Sequence, residues 1–168
     1  MNRRDFLLRT MACAGYAGLA SLPFLPAHAS PTQALFDQIL PDTSGTEQPL
    51  RQWAGRPLVV NFWATWCAPC VKEMPDLDAL HHQFRHVGFV GLAVDTRSNV
   101  EKFLEKVQVS YPLLLIGNQG ISLMRTLGNT KGGLPFTVVL DEQGKVVESV
   151  LGQIKPEDLA ATLEGFKA

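Results

Sequence analysis

The sequence predicts an α/β domain in which a central mixed β-sheet is flanked by helices on both faces. From residue 58 onward, apolar runs of strand length alternate with segments of helical spacing. The runs at 58–64 and 87–95 are almost continuously apolar, as expected of strands buried on both sides. The last two strand-like runs flank a tight turn, so the sheet closes on an antiparallel hairpin and is not purely parallel.

Each element has its own local reason. Leu35 to Leu40 and Gln48 to Leu50 flank Pro41-Asp42-Thr43-Ser44-Gly45, which predicts an irregular N-terminal hairpin within residues 33–56. Leu58 to Ala64 is the central strand. Pro69 to about Phe84 predicts a helix, with Leu77, Leu80 and Phe84 on one stripe and a break at Pro75. Val87 to Asp95 is a second buried strand. Val100 to Val107 reads as a helix capped by Ser98 or Asn99. Pro112 to Ile116 predicts a third strand, and Ile121 to Leu127 a short helix closed by Gly128. Phe136 to Leu140 and Val146 to Leu151 pair around Asp141-Glu142-Gln143-Gly144. Lys155-Pro156-Glu157-Asp158 opens a final helix towards Phe166. There is no repeat and no low-complexity tract.

Composition narrows the function classes. The 168 residues carry 15 Lys+Arg against 16 Asp+Glu, a balance with no long-range pull on nucleic acid, so no nucleic-acid partner is expected. With 46% hydrophobic and 18% charged residues, the chain is too apolar to be disordered and long enough for one core.

Residues 1–29 predict a cleavable export signal. Arg3-Arg4 opens the chain, a mildly apolar stretch follows to Pro26, and Ala27-His28-Ala29 is a small-x-small cleavage site. The Arg3-Arg4-x-Phe6-Leu7 order resembles a twin-arginine signal, and an ordinary Sec signal or an uncleaved anchor are the alternatives. Cleavage after Ala29 leaves residues 30–168 as one domain. Removing three arginines and one aspartate takes the charge to 12 basic against 15 acidic residues. Cys13 goes with the signal, so the expected location is the periplasm, with membrane tethering if the signal is retained.

That leaves Cys67 and Cys70 as a lone Cys-x-x-Cys in an oxidising compartment. A bridge spanning two residues removes little unfolded-chain entropy, so it makes a weak staple and points to redox chemistry instead. The spacing Cys67-x2-Cys70-x11-His82-x3-His86 approaches a zinc-finger pattern. The cysteines follow a buried-type strand, however, and a domain of this size needs no structural metal. His81, His82 and His86 are expected on the solvated face and end of the helix, and no metal or cofactor is expected. Copper(I) held by the two soft thiolates is the different-class alternative, in which the protein is a copper chaperone.

Asn61-Phe62-Trp63-Ala64-Thr65-Trp66-Cys67-Ala68-Pro69-Cys70 resembles the thioredoxin superfamily, which sets Trp-Cys-x-Pro-Cys between a central strand and a helix. Gly132-Gly133-Leu134-Pro135-Phe136-Thr137-Val138-Val139-Leu140-Asp141 looks like its second signature, a cis-proline leading into a strand. The stretch near residues 96–116, the export signal and Cys70-Val71-Lys72-Glu73-Met74-Pro75 are similar to the TlpA/ResA-like branch of exported thiol-disulfide reductases. Cytochrome-maturation thioredoxins of the CcmG type are close relatives of that branch. The resemblance covers residues 34–166. It implies a thioredoxin-like three-layer fold with an N-terminal hairpin and a central βα insertion.

The resemblance also implies roles. Cys67, just before the first helical turn, is the nucleophile because unpaired N–H groups and the helix dipole favour its thiolate. Cys70, one turn along, resolves the mixed disulfide, so Cys67 and Cys70 form the redox disulfide. Glu73 matches an acidic position of the reductase branch and exchanges protons with Cys70; the alternative is a surface glutamate supporting the helix start. Thioredoxin proper has a buried aspartate where this chain has Asn61, which cannot shuttle protons. Trp66, Ala68, Pro69, Leu134 and Pro135 form the expected substrate surface, with Pro135 presenting adjacent backbone for strand-like pairing. Trp63 is expected in the core. The expected activity is reduction of a protein disulfide, in apocytochrome c before haem attachment or in a copper-site assembly protein. A membrane thiol-electron donor supplies the electrons, and a disulfide-forming oxidant is the close alternative. Gly132-Gly133-Leu134-Pro135-Phe136 replaces the more acidic loop of the CcmG type, which argues against a cytochrome-specific assignment.

Overall fold

The computed structural model describes residues 31–166; the expected export signal and Cys13 lie outside the described residues. The sheet is built outward from β3 (Leu58–Trp63), whose six residues are all buried. β4 (Gly88–Ala93) runs parallel beside it, and β5 (Leu113–Leu115) runs parallel beside β4. On the other side β6 (Phe136–Leu140) lies antiparallel to β3, and β7 (Val146–Leu151) antiparallel to β6. The order is β5-β4-β3-β6-β7, a mixed sheet as expected.

Continuous apolar runs give both faces something to bury, and each face has its own cover. Val59, Trp63, Phe89, Ala93 and Val139 pack under α2 (Ala68–Gln83) and α5 (Pro156–Glu164), through Cys70, Met74, Leu77, Leu159 and Leu163. Val100 of α3 (Arg97–Leu104) joins this side, and Phe103 packs against Trp63 with ring centroids 5.3 Å apart. Leu58, Val60, Phe62, Leu92 and Val138 alternate to the opposite face. There they meet Leu35 of α1 (Gln33–Phe36), Leu50 and Trp53 of a 3-10 turn, and Leu123 and Met124 of α4 (Gln119–Thr126). Three layers result.

The N-terminal hairpin is β1 (Ile39–Pro41) against β2 (Glu47–Pro49). An antiparallel bridge from Asp42 to Leu114 lays it against β5, which shields an open sheet edge. Asp42 ties its own turn, accepting from Ser44 N at 2.8 Å, Ser44 Oγ at 2.6 Å and Gln48 Nε2 at 3.0 Å. The hydroxyl of Ser44, with Gln48 next, holds its carboxyl down to about 2.

Some local expectations are corrected. Leu35 lies on the short helix α1 and not on a strand of the hairpin. α2 runs unbroken through Pro75, whose missing N–H is outweighed by the burial of Met74 and Leu77 on either side. α3 starts at Arg97 and ends at Leu104. Its cap is Thr96, whose Oγ1 accepts from Asn99 N at 3.3 Å, and not Ser98 or Asn99. Three cap-type side chains compete there, and Asn99 is diverted, its Nδ2 donating to Asp95 Oδ1 at 2.7 Å.

Candidate active site

β3 delivers the chain from Trp63 into the loop Ala64-Thr65-Trp66 at one end of the sheet. Thr65 is fastened there, because its N–H and its hydroxyl both donate to Asp95 Oδ2, at 3.0 and 2.6 Å. Burial pushes the Asp95 carboxyl up, but hydrogen bonds from Thr65 and Asn99 outweigh it and hold the group below its ordinary value. Cys67 then takes the N-cap position of α2 with extended backbone, and Ala68 and Pro69 form the exposed first turn. Proline is tolerated there because that N–H has no intrahelical partner to lose.

Cys67 and Cys70 are joined as a disulfide with Cα atoms 5.3 Å apart. Cys67 is 6% exposed and Cys70 fully buried, while the neighbouring Trp66 is 68% exposed. The sheet register brings the second signature to the same end. Phe136 lies opposite Phe62, so Leu134-Pro135 enters β6 beside the point where β3 gives way to the cysteine loop. The Leu134–Pro135 peptide is cis. Leu134 is half-buried, and the Pro135 carbonyl accepts from Gly152 N at 2.9 Å.

Glu73 is fully buried, in contrast to the surface glutamate that its helix position alone allows. It lies one turn past Cys70 on α2 and is held by two other elements. Its Oε1 accepts from Asn61 Nδ2 of β3 at 2.8 Å, and its Oε2 from the backbone N–H of Ile154 at 2.9 Å. Asn61 Nδ2 also donates to Thr137 Oγ1 at 3.0 Å. Burial raises the Glu73 carboxyl above its ordinary range; the bonds from Ile154 and Asn61 pull the other way without overcoming it. The group is therefore suited to hold a proton and to release it.

Trp63 is in the core, as expected. His81 is not on the solvated face. It is half-buried, its ring edge-on to Phe89 at 5.4 Å and to Tyr111 at 6.3 Å, and burial lowers its basicity. His82 is exposed, its Nε2 lying 3.0 Å from Ser110 Oγ. Among the described residues, no group of three or more His, Cys, Asp or Glu is placed to hold a metal ion.

Sequence reasoning missed Asp95, Thr137 and the Ile154 amide. Their partners lie 30, 76 and 81 residues away, and no local pattern marks such pairs. It also missed Asn129, a buried polar side chain whose amide bonds Gly132 N at 3.0 Å and Gly133 O at 2.8 Å. A lone asparagine after Gly128 reads as an ordinary helix terminus.

The comparisons with known proteins agree with this fold. The model of the family described as Redoxin matches residues 25–164. The thiol-disulfide oxidoreductase ResA of Geobacillus thermodenitrificans is 31% identical over 168 residues, covering 98% of this chain and 94% of that protein. ResA of Bacillus cereus is 30% identical over 129 residues, 75% of this chain and 72% of that one. Among solved structures, a thioredoxin-related protein from Neisseria meningitidis serogroup B is 36% identical with a TM-score of 0.67. It covers 74% of this chain and 96% of its own. MTB dsbF, solved in mixed oxidized and reduced forms, is 25% identical with a TM-score of 0.68, covering 78% and 96%.

Proposed function

The chain belongs to the Redoxin family and is a thiol-disulfide oxidoreductase, and from that premise we propose that it is exported and reduces protein disulfides. One observation carries the mechanism: a buried carboxyl, Glu73, with raised proton affinity, on the helix that Cys67 caps and one turn past Cys70. In the reduced protein the Cys67 thiolate, favoured by the N-terminus of α2, attacks one sulfur of the substrate disulfide. A mixed disulfide forms, and the other substrate sulfur leaves as a thiolate and takes a proton. Cys70 gives its proton to ionised Glu73 and attacks Cys67 Sγ, which releases the second substrate thiolate. The second thiolate then takes the proton held on Glu73, which restores the carboxylate; two electrons have passed to the substrate, and the protein is left with the Cys67–Cys70 disulfide seen in the structure.

The exposed Trp66, with Ala68, Pro69, Leu134 and Pro135, is the surface on which the substrate segment lies. Substrate candidates are apocytochrome c before haem attachment and a copper-site assembly protein. The electrons come from a membrane thiol donor, because the oxidising compartment does not supply them. Export rests on the basic, apolar and small-residue order of residues 1–29. No helix among the described residues is long and apolar enough to cross a membrane.

The test is covalent capture. A Cys70→Ala variant expressed in the native host holds its partner as a mixed disulfide through Cys67, and a Cys67→Ser variant holds none. Equilibration against glutathione or a strong dithiol gives the direction of electron flow. A potential near that of DsbA, about −120 mV, overturns the reductase assignment, whereas one near that of thioredoxin, about −270 mV, supports it.

A further inference from the structure

The loop before the cis-proline is held by a residue outside both signatures. α4 ends in a Schellman turn: Gly128 N donates to Arg125 O at 3.1 Å and Asn129 N to Met124 O at 2.9 Å, with Gly128 at φ +104°. The backbone of Asn129 is thereby fixed to the helix. Its side chain, 3% exposed, reaches forward in the chain. Oδ1 accepts from Gly132 N at 3.0 Å and Nδ2 donates to Gly133 O at 2.8 Å.

The space around these glycines is close. A Cβ at Gly132 would come within 3.2 Å of Ile121 Cγ2, and one at Gly133 within 3.3 Å of Leu151 Cδ1. Gly132 also has φ +67°, a conformation that side chains other than glycine's disfavour. A glycine pair is the most flexible backbone available, so left to itself it does not keep one shape. Gly132 N also donates to the Asn129 backbone carbonyl at 3.1 Å, which closes the turn, but among the described residues only the Asn129 side chain reaches on to hold Gly133.

The bonding pattern shows what the constraint leaves open. The carbonyl of Gly133 is taken by Asn129 and that of Pro135 by Gly152 N. Between them, the backbone N–H and carbonyl of Leu134 take no hydrogen bond from the described residues. A half-buried residue with a free donor and a free acceptor, at the sheet end that carries the disulfide, is a site for one residue of added strand.

We propose that Asn129 is a positioning residue for substrate binding: it clamps Gly132-Gly133 so that Leu134 offers its N–H and carbonyl together to an extended, cysteine-bearing peptide segment. This rests on the assignment of Leu134-Pro135 to the substrate surface. Asn129 touches neither cysteine in this role. Its loss therefore weakens peptide recognition and spares the intrinsic reactivity of Cys67.

The experiment uses the reduced protein, a short peptide with an intramolecular disulfide, and 5,5′-dithiobis(2-nitrobenzoate) as a disulfide with no peptide backbone. Asn129→Ala lowers the second-order rate with the peptide about tenfold or more through a higher half-saturating concentration, while the rate with the small disulfide changes less than about threefold. Asn129→Asp keeps the volume and the acceptor but sets a carboxylate against Gly133 O; it shows the same selective loss and carries the test if Asn129→Ala does not fold. Equal losses on both disulfides, or a loss on neither, overturn the proposal. A peptide N-methylated beside its cysteine separates the two levels. If the wild-type protein ignores N-methylation, the substrate-surface assignment fails. If it discriminates and both Asn129 variants discriminate equally, the role of Asn129 alone fails.

Discussion

Nδ2 of Asn61 donates to Oε1 of Glu73 across 2.8 Å inside the core, tying the central strand to the helix that Cys67 caps and that carries Cys70. The pairing sets a neutral donor against a buried acid. An amide supports the ionised form by one hydrogen bond but brings no charge, so burial keeps the upper hand and the carboxyl stays raised. A lysine or arginine in its place would pull the proton off, and Glu73 would lose its use as a proton acceptor that can be refilled.

The raised proton affinity of Glu73 makes stability depend on pH. Below the ordinary value of 4.5, folded and unfolded chains both hold the proton, and burial of the neutral acid carries no ionic penalty. As pH rises from there, the unfolded chain releases its proton first, so stability falls until the folded value is passed and the full penalty stands. Glu73→Gln removes this descent. Urea unfolding of the reduced protein across that range should show a sloping wild type and a flatter variant; parallel profiles would contradict it.

Asn61→Asp sets a second carboxyl within hydrogen-bond reach of Glu73. Two such groups cannot both ionise without strong repulsion, so one of them is pushed further up. The pH profile for resolution of a Cys67 mixed disulfide should move to higher pH in the variant. An unmoved profile would remove Glu73 from the proton path.

Tyr111 is 3% exposed and its hydroxyl has no hydrogen-bond partner among the described residues. Burial, with the charges of Glu73 and Asp78, holds its phenol well above the ordinary value, so it stays protonated. Tyr111→Phe deletes an unsatisfied polar group and keeps the ring, so stability should rise by about 1 kcal/mol or more. A fall in the unfolding free energy of more than about 1 kcal/mol would show that the hydroxyl is in fact bonded.

Trp66 is 68% exposed, so its ring has little to contribute to folding. Trp66→Ala should change stability by no more than about 0.5 kcal/mol while reducing peptide disulfides several-fold more slowly. Equal slowing with a small disulfide would assign the ring to the nucleophile and not to substrate contact.

Where the physics is local, the sequence was a sufficient guide. β6 and β7 match residue for residue, because apolar strands flank a four-residue turn closed by Gly144 at φ +74°. Local competition defeated it elsewhere. Thr96, Ser98 and Asn99 all make good caps, and the choice fell to Thr96 once Asn99 was engaged by Asp95. Pro75 is a strong helix breaker in isolation, yet the buried neighbours Met74 and Leu77 carry α2 through it. His81 reads as solvated from its polar neighbours, but its ring faces Phe89 and Tyr111 from β4 and the segment before β5.

By itself the sequence determined the cysteine pair, its place between an apolar strand and a helix, and the glycine-rich approach to Pro135. Residue type, spacing and short-range periodicity are enough for these. Only the tertiary structure decided that Glu73 is an internal acid and that Asn129 clamps the loop beside the site. Glu73 meets partners 12 and 81 residues away. Asn129 acts over only three and four residues, yet its direction depends on where α4 stops and on the packing of Ile121 and Leu151 around the two glycines. The proton affinity of a carboxyl follows from how much water and how many donors surround it, and those are properties of the packed fold.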